Sequence, residues 1–224
     1  AWSGMKELLR AWGSFLHSGL PSAATILLMP FSLGVVTRLI AGYGEEAVAA
    51  TAAGQRIEQF TYLLPMAMGS TLVPIIGQNW GAGRVDRVRK VWARTNAYGV
   101  MYALCCVALS LPLASPVAGL FSEDPSVISL ISRYLYIVLT ASIFQHIFVH
   151  TGFAFNAIKK PVQAALLTVI RAIVLMAPLA WMGGRHFGLQ GVYLGMAAAT
   201  VVSGCTALAW FSAVVRPAVS NDDP

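Results

Sequence analysis

Long apolar runs, separated by short polar stretches, make up almost the whole chain. A helix needs about 20 mostly apolar residues to cross the hydrocarbon core of a membrane. The runs predict six spanning helices, at about 14–38, 47–76, 94–120, 127–155, 162–183 and 190–214. Membrane β-strands would show alternation over about ten residues, which these runs lack. The pattern therefore predicts an all-α membrane protein.

The composition indicates lipid as the solvent of this surface. Hydrophobic residues form 57% of the chain and charged residues only 11%, whereas about 25% of a typical soluble domain is charged. The mean hydropathy is +0.69. The net charge of +6 comes from short basic clusters, and a nucleic-acid-binding domain would need a continuous basic face. We therefore expect membrane lipid as a partner and no nucleic acid.

The basic residues alternate along the chain in a way that predicts its orientation. If six helices cross in turn, one side receives Lys6, Arg10, Arg84, Arg87, Arg89, Lys90, Arg94, Lys159, Lys160 and Arg216. The other side receives Arg38, Arg133, Arg185, Glu45, Glu46, Glu123 and Asp124. Cytoplasmic loops carry the excess of Lys and Arg. We expect a multi-pass protein of the plasma (inner) membrane with both termini cytoplasmic.

The stretch GQNWGAGRVDRVRK, from Gly77 to Lys90, combines glycines with basic residues. Such a combination can bind phosphate, but neither G-x-G-x-x-G nor G-x-x-x-x-G-K-[ST] is present. We interpret the stretch as a tight cytoplasmic turn between the second and third helices, because glycine permits a sharp reversal of the chain.

Several segments resemble one family. The sequence TAAGQRIEQFTYLLPMAMGSTLVPIIGQNWGAGRVDRVRK, at 51–90, resembles the second helix and following loop in the C-terminal half of a multidrug and toxic compound extrusion (MATE) transporter. FNAIKKP at 155–161, VIRAIVLMAPLAW at 169–181 and FGLQGVYLG at 187–195 are similar to the last helices of that family. The chain begins with Ala1 rather than methionine, which suggests a processed product or a fragment.

The resemblance implies both a fold and an activity. MATE proteins have twelve helices in two six-helix lobes, so this chain corresponds to the C-terminal lobe without the N-terminal lobe. The family exports cationic, amphipathic organic compounds in exchange for H⁺ or Na⁺, as the lobes rock about a central cavity. The resemblance therefore implies half of an antiporter and no enzyme. Its expected partners are small cationic substrates and the N-terminal lobe, and it needs no cofactor beyond the coupling ion.

Two alternatives remain open. One is a flippase for lipid-linked or polysaccharide precursors from the wider superfamily, which Arg56 and Arg171 would favour if both faced the cavity. The other is a membrane scaffold without transport, which mutual pairing of Glu58, Arg56 and Arg171 would favour if no cavity were present.

Glu58 is the main candidate for binding an ion or a substrate, because ionisable residues inside a membrane are costly and often functional. It lies on one helical face with Thr51, Gln55, Tyr62, Pro65 and Gly69. A carboxylate there could bind a proton or a cationic compound, with Gln55 and Tyr62 beside it. It could equally pair with a buried basic group, for example Arg171, and stabilise the lobe.

The two arginines inside predicted spans, Arg56 and Arg171, could set the charge of a cavity. A fixed positive charge would repel cationic substrates. We therefore expect a structural role for both, as an internal salt bridge or as donors to helix carbonyls.

His146 and His150 form a polar stripe with Ser142 in the fourth predicted span. The pair could relay protons or form hydrogen bonds between helices. No HExxH pattern accompanies it, so we predict no metal site.

Acidic residues are scarce where some family members have them. The first span contains no Asp or Glu, and the fourth contains none after Asp124. The resemblance therefore leaves open that ion coupling resides in the N-terminal lobe.

Overall fold

A computed structural model of the chain describes Trp12 and residues 27–215. Every regular element in these residues is a helix: α1 (Leu27–Ala41), α2 (Glu45–Gly81), α3 (Val85–Ala118), α4 (Pro125–Thr140), α5 (Ser142–Ala157), α6 (Pro161–Val169), a π-helical segment (Ile170–Met176) and α7 (Ala177–Val214). The all-α prediction is confirmed. Residues 14–26 of the first predicted span lie outside the described residues, as do Lys6, Arg10 and Arg216.

Several of the described helices are long enough to cross a membrane. Three are sufficiently long and apolar to cross one, namely α2, α3 and the continuous helix Pro161–Val214. Taken together as one span, α4 and α5 are also long and apolar enough to cross a membrane, although the chain bends by 52° at the break between them. Within α7, Phe187 and Gly188 leave the helical conformation, and Gly188 has φ 62°. This break divides Pro161–Val214 between the fifth and sixth predicted spans.

The turn between α2 and α3 is shorter than the interpretation of Gly77–Lys90 suggested. Helix α2 continues to Gly81 and α3 begins at Val85. Both helices thus extend past the predicted spans, because a helix keeps its backbone groups hydrogen-bonded outside the hydrocarbon core as well. Within this turn, only Gly83 adopts the left-handed conformation that favours glycine, with φ 70°.

Two clusters of buried apolar side chains form the core, one toward each end of the bundle. The first joins α1, α2, α3, α4 and α7 around Ile40, Ile131, Tyr134, Leu135 and Tyr193. The second joins the end of α2 and the start of α3 to α5, α6 and the end of α7, around Leu72, Ile76, Phe155, Leu167 and Phe211. Val88 and Ile158 belong to the second cluster, so the basic turns beside them lie at the same end of the bundle.

Glycines allow the closest helix contacts. A Cβ at Gly191 would collide with the carbonyl of Gly183, so the two parts of α7 pack closely on either side of the break. A Cβ at Gly195 would collide with the Leu179 carbonyl in the same way. Small residues at such contacts are typical of helices that pack within membranes.

Candidate functional site

Glu58 lies near the middle of α2, between the two core clusters, and is half-buried. The hydroxyl of Tyr134 in α4 donates a hydrogen bond to its Oε2 at 2.6 Å. The hydroxyl of Tyr62, one turn further along α2, donates to its Oε1 at 3.0 Å. Both carboxylate oxygens thus accept hydrogen bonds from neutral hydroxyl groups. These bonds stabilise the carboxylate, but they do not cancel its negative charge.

The position of Tyr134 is fixed by its neighbours. Its ring packs edge-on against Tyr193, with ring centroids 5.2 Å apart. The hydroxyl of Tyr193 is hydrogen-bonded to Thr51 Oγ1 at 2.8 Å. Gly54 leaves the space that the Tyr134 ring fills, since a Cβ at this position would collide with the ring. Packing from α2 and α7 therefore directs the Tyr134 hydroxyl toward Glu58.

A cavity of about 180 Å³ opens beside Glu58. Its polar lining consists of Gln55, Glu58, Gln59, Tyr62, Tyr134, Arg171 and Thr200, and its apolar lining of Met29, Leu33, Val138, Met176 and Met196. Pockets for drug-sized ligands are usually about 300–1,000 Å³. The cavity in this lobe is therefore large enough for part of an organic molecule.

Arg171 lies in the π-helical segment and lines the same cavity, with 4% of its surface exposed. Its Nη2 lies 3.5 Å from Thr200 Oγ1, and its guanidinium carbon lies 4.7 Å from the centroid of the Phe148 ring. Its Nε and Nη1 have no hydrogen-bond partner among the described residues. No basic side chain in this part of the chain forms a salt bridge with Glu58. The internal salt bridge of Arg171 is thus not formed among the described residues, and the structural role of this arginine stays a prediction.

Arg56 does not face the Glu58 cavity. Its side chain is exposed and lines a separate open groove of about 620 Å³ with Gln59, Phe60 and Leu63. Gln59 borders both spaces. Arg56 also forms no salt bridge within the described residues, and its structural role stays a prediction. Helical geometry separates it from Glu58, since residues two apart on a helix do not share a face.

His146 and His150 lie between α5 and α3, and neither lines the Glu58 cavity. Both are fully buried. His146 Nδ1 is hydrogen-bonded to the Gly99 carbonyl at 2.9 Å, and His150 Nδ1 lies 3.3 Å from Asn96 Oδ1. The structure therefore separates the histidine pair from Glu58, Gln55 and Tyr62. No group of three or more potential metal ligands occurs in the described residues.

Tyr134, Gln59 and Thr200 line the site but do not stand out in the sequence. Tyr134 lies in the segment YLYIVLT, where an aromatic residue indicates packing or a membrane interface as readily as a hydrogen-bond donor. Gln59 follows Glu58 directly, a spacing that does not place two residues on one helical face. Only the packing of α4 and α7 against α2 brings these side chains together.

Known proteins resemble the chain in sequence and in structure. The sequence model of the MatE family matches residues 21–182. An FAD transporter of Shewanella oneidensis is 30% identical over 196 residues, which cover 86% of this chain and 43% of that protein. The multidrug export protein MepA of Staphylococcus aureus is 27% identical over 190 residues, which cover 84% of this chain and 40% of that protein.

The helices also superpose on a solved structure, that of the Vibrio cholerae MATE transporter VcmN in its bent form. The TM-score is 0.86 at 25% identity, and the match covers 92% of this chain and 47% of VcmN. The chain thus spans less than half the length of each of these relatives.

Proposed function

The chain belongs to the MatE family of membrane transporters and corresponds to half of one, and from this premise we propose that it is the C-terminal lobe of a cation-coupled antiporter. The lobe would export small organic compounds by alternating access, together with an N-terminal lobe. The resemblance seen in the sequence is confirmed. Members of the family are transporters rather than enzymes, so the site is expected to bind and release compounds unchanged.

The Glu58 carboxylate carries this proposal. It lies within a helix long enough to span a membrane, opens on a cavity and accepts hydrogen bonds from two tyrosine hydroxyls. Its charge can be neutralised by H⁺, by Na⁺ or by a cationic compound. Because these ligands compete for one carboxylate, binding of one favours release of another, as an exchanger requires.

The coupling ion is H⁺ or Na⁺. A proton would bind to a carboxylate oxygen of Glu58. Sodium would need several oxygen ligands, as hard cations do, and Gln55, Tyr62 and Tyr134 surround Glu58 in the cavity lining. By the positive-inside rule, the basic turns beside Val88 and Ile158 would face the cytoplasm, with both termini on the same side of the plasma (inner) membrane.

Cationic, amphipathic compounds suit this lining. Three methionines line the cavity, and their flexible thioether side chains adapt to apolar bodies of different shape. The name of MepA, a multidrug export protein, supports drugs as the compounds exported. The flippase alternative has weaker support, because only Arg171 lines the cavity. A scaffold would not need a cavity beside an intramembrane carboxylate.

Export of a cationic dye by the full-length transporter tests the proposal. Inverted membrane vesicles would be energised with a proton gradient or a sodium gradient, and dye uptake followed by fluorescence. We expect gradient-dependent uptake by the wild type and its loss in Glu58→Gln, with equal amounts of protein in the membrane. Glu123→Gln is the matched control, because Glu123 is exposed in the turn before α4. Unchanged uptake in Glu58→Gln would overturn the proposed role of this carboxylate.

A further inference from the structure

Arg171 has a binding capacity that cation export does not use. Arginine stays protonated in proteins and offers five N–H donors. Here its Nε and Nη1 are buried without a partner in the described residues. A buried charged donor without an acceptor is destabilising, so this guanidinium needs an acceptor beyond the described side chains.

The neighbours of Arg171 supply an acceptor for Nη2 but none for Nε and Nη1 among the described residues. The Thr200 hydroxyl accepts from Nη2 at the long distance of 3.5 Å and donates to the Met196 carbonyl at 3.0 Å. Phe148 offers only the face of its ring. The Glu58 oxygens accept hydrogen bonds from Tyr62 and Tyr134, and Glu58 forms no salt bridge with Arg171 in the described residues. The guanidinium is thus held against the cavity with unused donors.

The backbone around Arg171 is itself unusual. The seven-residue π-helical segment Ile170–Met176 interrupts an otherwise α-helical span, and such interruptions occur frequently at functional sites. The carbonyl of Ala172, next to Arg171, accepts a hydrogen bond from Ser32 Oγ of α1 at 2.7 Å. The segment is therefore anchored to α1, which also contributes Met29 to the cavity lining.

We propose that Arg171 binds an anionic group, a carboxylate or a phosphate, of an amphiphilic transported compound. This inference rests on the proposed transport function and extends its substrate class beyond simple cations. The planar guanidinium matches carboxylate and phosphate oxygens in two parallel hydrogen bonds. A cavity of about 180 Å³ admits one such group, while Met176 and Met196 offer apolar contact to an attached ring.

The surroundings support an acidic group as ligand. Arg171 and Glu58 are the charged residues that line the cavity. Arg56 lies in the adjoining groove, and Gln59 borders both spaces, so a compound that approaches along the groove would pass a second cation. The name of the FAD transporter, a 30% identical relative, indicates a cargo with phosphate groups for that protein.

The charge of Glu58 predicts opposite effects on the binding of cations and of anions. Its negative charge attracts a cation in the cavity and repels an anion. Neutralising Glu58 should therefore weaken the binding of cations and strengthen the binding of anions. These effects report on the charge of Glu58, and the Arg171 variants report separately on the guanidinium.

Flavin binding to the purified full-length transporter tests the inference. Flavin mononucleotide and riboflavin share one fluorescent ring system and differ by one phosphate, so the ratio of their affinities reports on recognition of the anionic group. We expect the wild type to prefer the mononucleotide, and Arg171→Gln to reduce that preference about tenfold or more. Arg171→Lys should retain part of it, and Glu58→Gln should increase affinity for the mononucleotide. Arg185→Gln is the control, since Arg185 is exposed and packs on Trp181.

Equal affinity of the wild type for the two flavins, or an unchanged preference in Arg171→Gln, would overturn the inference. If Arg171→Gln is poorly folded, the preference for the mononucleotide is compared among wild type, Arg171→Lys and Glu58→Gln instead. An unchanged preference in both variants would then overturn the inference. Competition by phosphatidylglycerol but not by phenyl phosphate would assign the anionic group to a lipid headgroup, and competition by both would assign it to a smaller compound. Dye export measured on the same preparations separates the outcomes, because its absence would contradict the antiporter proposal, whatever the flavins show.

Discussion

The hydroxyl of Tyr134 lies 2.6 Å from Oε2 of Glu58, although the two residues are 76 positions apart in the chain. This hydrogen bond joins α4 to the middle of α2. It holds the one carboxylate of the cavity lining at a fixed place between the two core clusters. Any movement of α4 against α2 would therefore change the ligands of Glu58.

Replacement of Tyr134 by Phe is predicted to change how the transporter responds to its coupling ion. The hydroxyl stabilises the charged carboxylate, and a hydrogen bond to a charged group contributes about 1.5–3 kcal/mol, equivalent to roughly tenfold or more in affinity. Without it, the protonated form of Glu58 is favoured, so half-maximal dye export should need about tenfold less H⁺. If Na⁺ is the coupling ion, the loss of one oxygen ligand should instead raise the Na⁺ concentration that is needed. The control is Tyr193→Phe, because Tyr193 bonds to Thr51 instead. An equal shift in both variants would contradict a specific effect at Glu58.

Replacement of Gly54 by Ala is predicted to disturb the same hydrogen bond through packing. The new methyl group would collide with the Tyr134 ring, and overpacking of this kind typically costs about 1–3 kcal/mol. We expect a lower melting temperature in detergent and weaker dye export. Gly152→Ala is the matched control, since a Cβ at Gly152 meets no atom within 4 Å. A Gly54→Ala protein as stable and active as this control would show that the ring can move without consequence.

The start of α4 provides a pH-dependent prediction. Asp124 caps this helix, as its Oδ1 accepts a hydrogen bond from the Ser126 backbone N–H at 2.8 Å, and that bond lowers the pKa of the exposed Asp124 carboxyl. A lowered pKa means that the contribution to stability is complete above the ordinary Asp value of about 3.9. It is lost as the pH falls through the lowered pKa of the folded state.

Asp124→Ala should therefore lower the melting temperature at neutral pH, and the difference from wild type should shrink once the pH falls below about 4. Asp124→Asn should retain most of the wild-type stability near neutral pH, because asparagine also caps helices well, and its stability should not fall with the titration of this position. Thermal unfolding in detergent at several pH values measures both effects. A deficit of Asp124→Ala that stays constant with pH would contradict a role for the charged carboxylate.

The sequence was sufficient to predict the helices but not their ends or interruptions. The apolar runs have the length that a membrane imposes, so α2 and α3 were predicted as single elements. The π-helical segment at Ile170–Met176 and the bend after Thr140 leave no distinct signal, because neither contains a glycine or a proline that would mark an interruption. The break in α7 is marked by Gly188, yet glycines are frequent in membrane helices that continue unbroken.

The candidate site was predictable where it depends on one helix. Gln55, Glu58 and Tyr62 share a face of α2 because of helical periodicity, and all three line the cavity. Tyr134 and Thr200 join them only through packing between helices, and periodicity within a single helix carries no information about such contacts. The same limit explains why the sequence left Arg171 and the two histidines without defined partners.

Competition between a cationic dye and the coupling ion tests the role of Glu58 most directly. The affinity of the purified full-length transporter for the dye would be measured while the H⁺ or Na⁺ concentration is raised, in wild type and in Glu58→Gln. If the dye and the ion share this carboxylate, the affinity of the wild type falls as the ion concentration rises, whereas Glu58→Gln binds the dye weakly and with little dependence on the ion. Equal competition in both proteins would contradict exchange at Glu58.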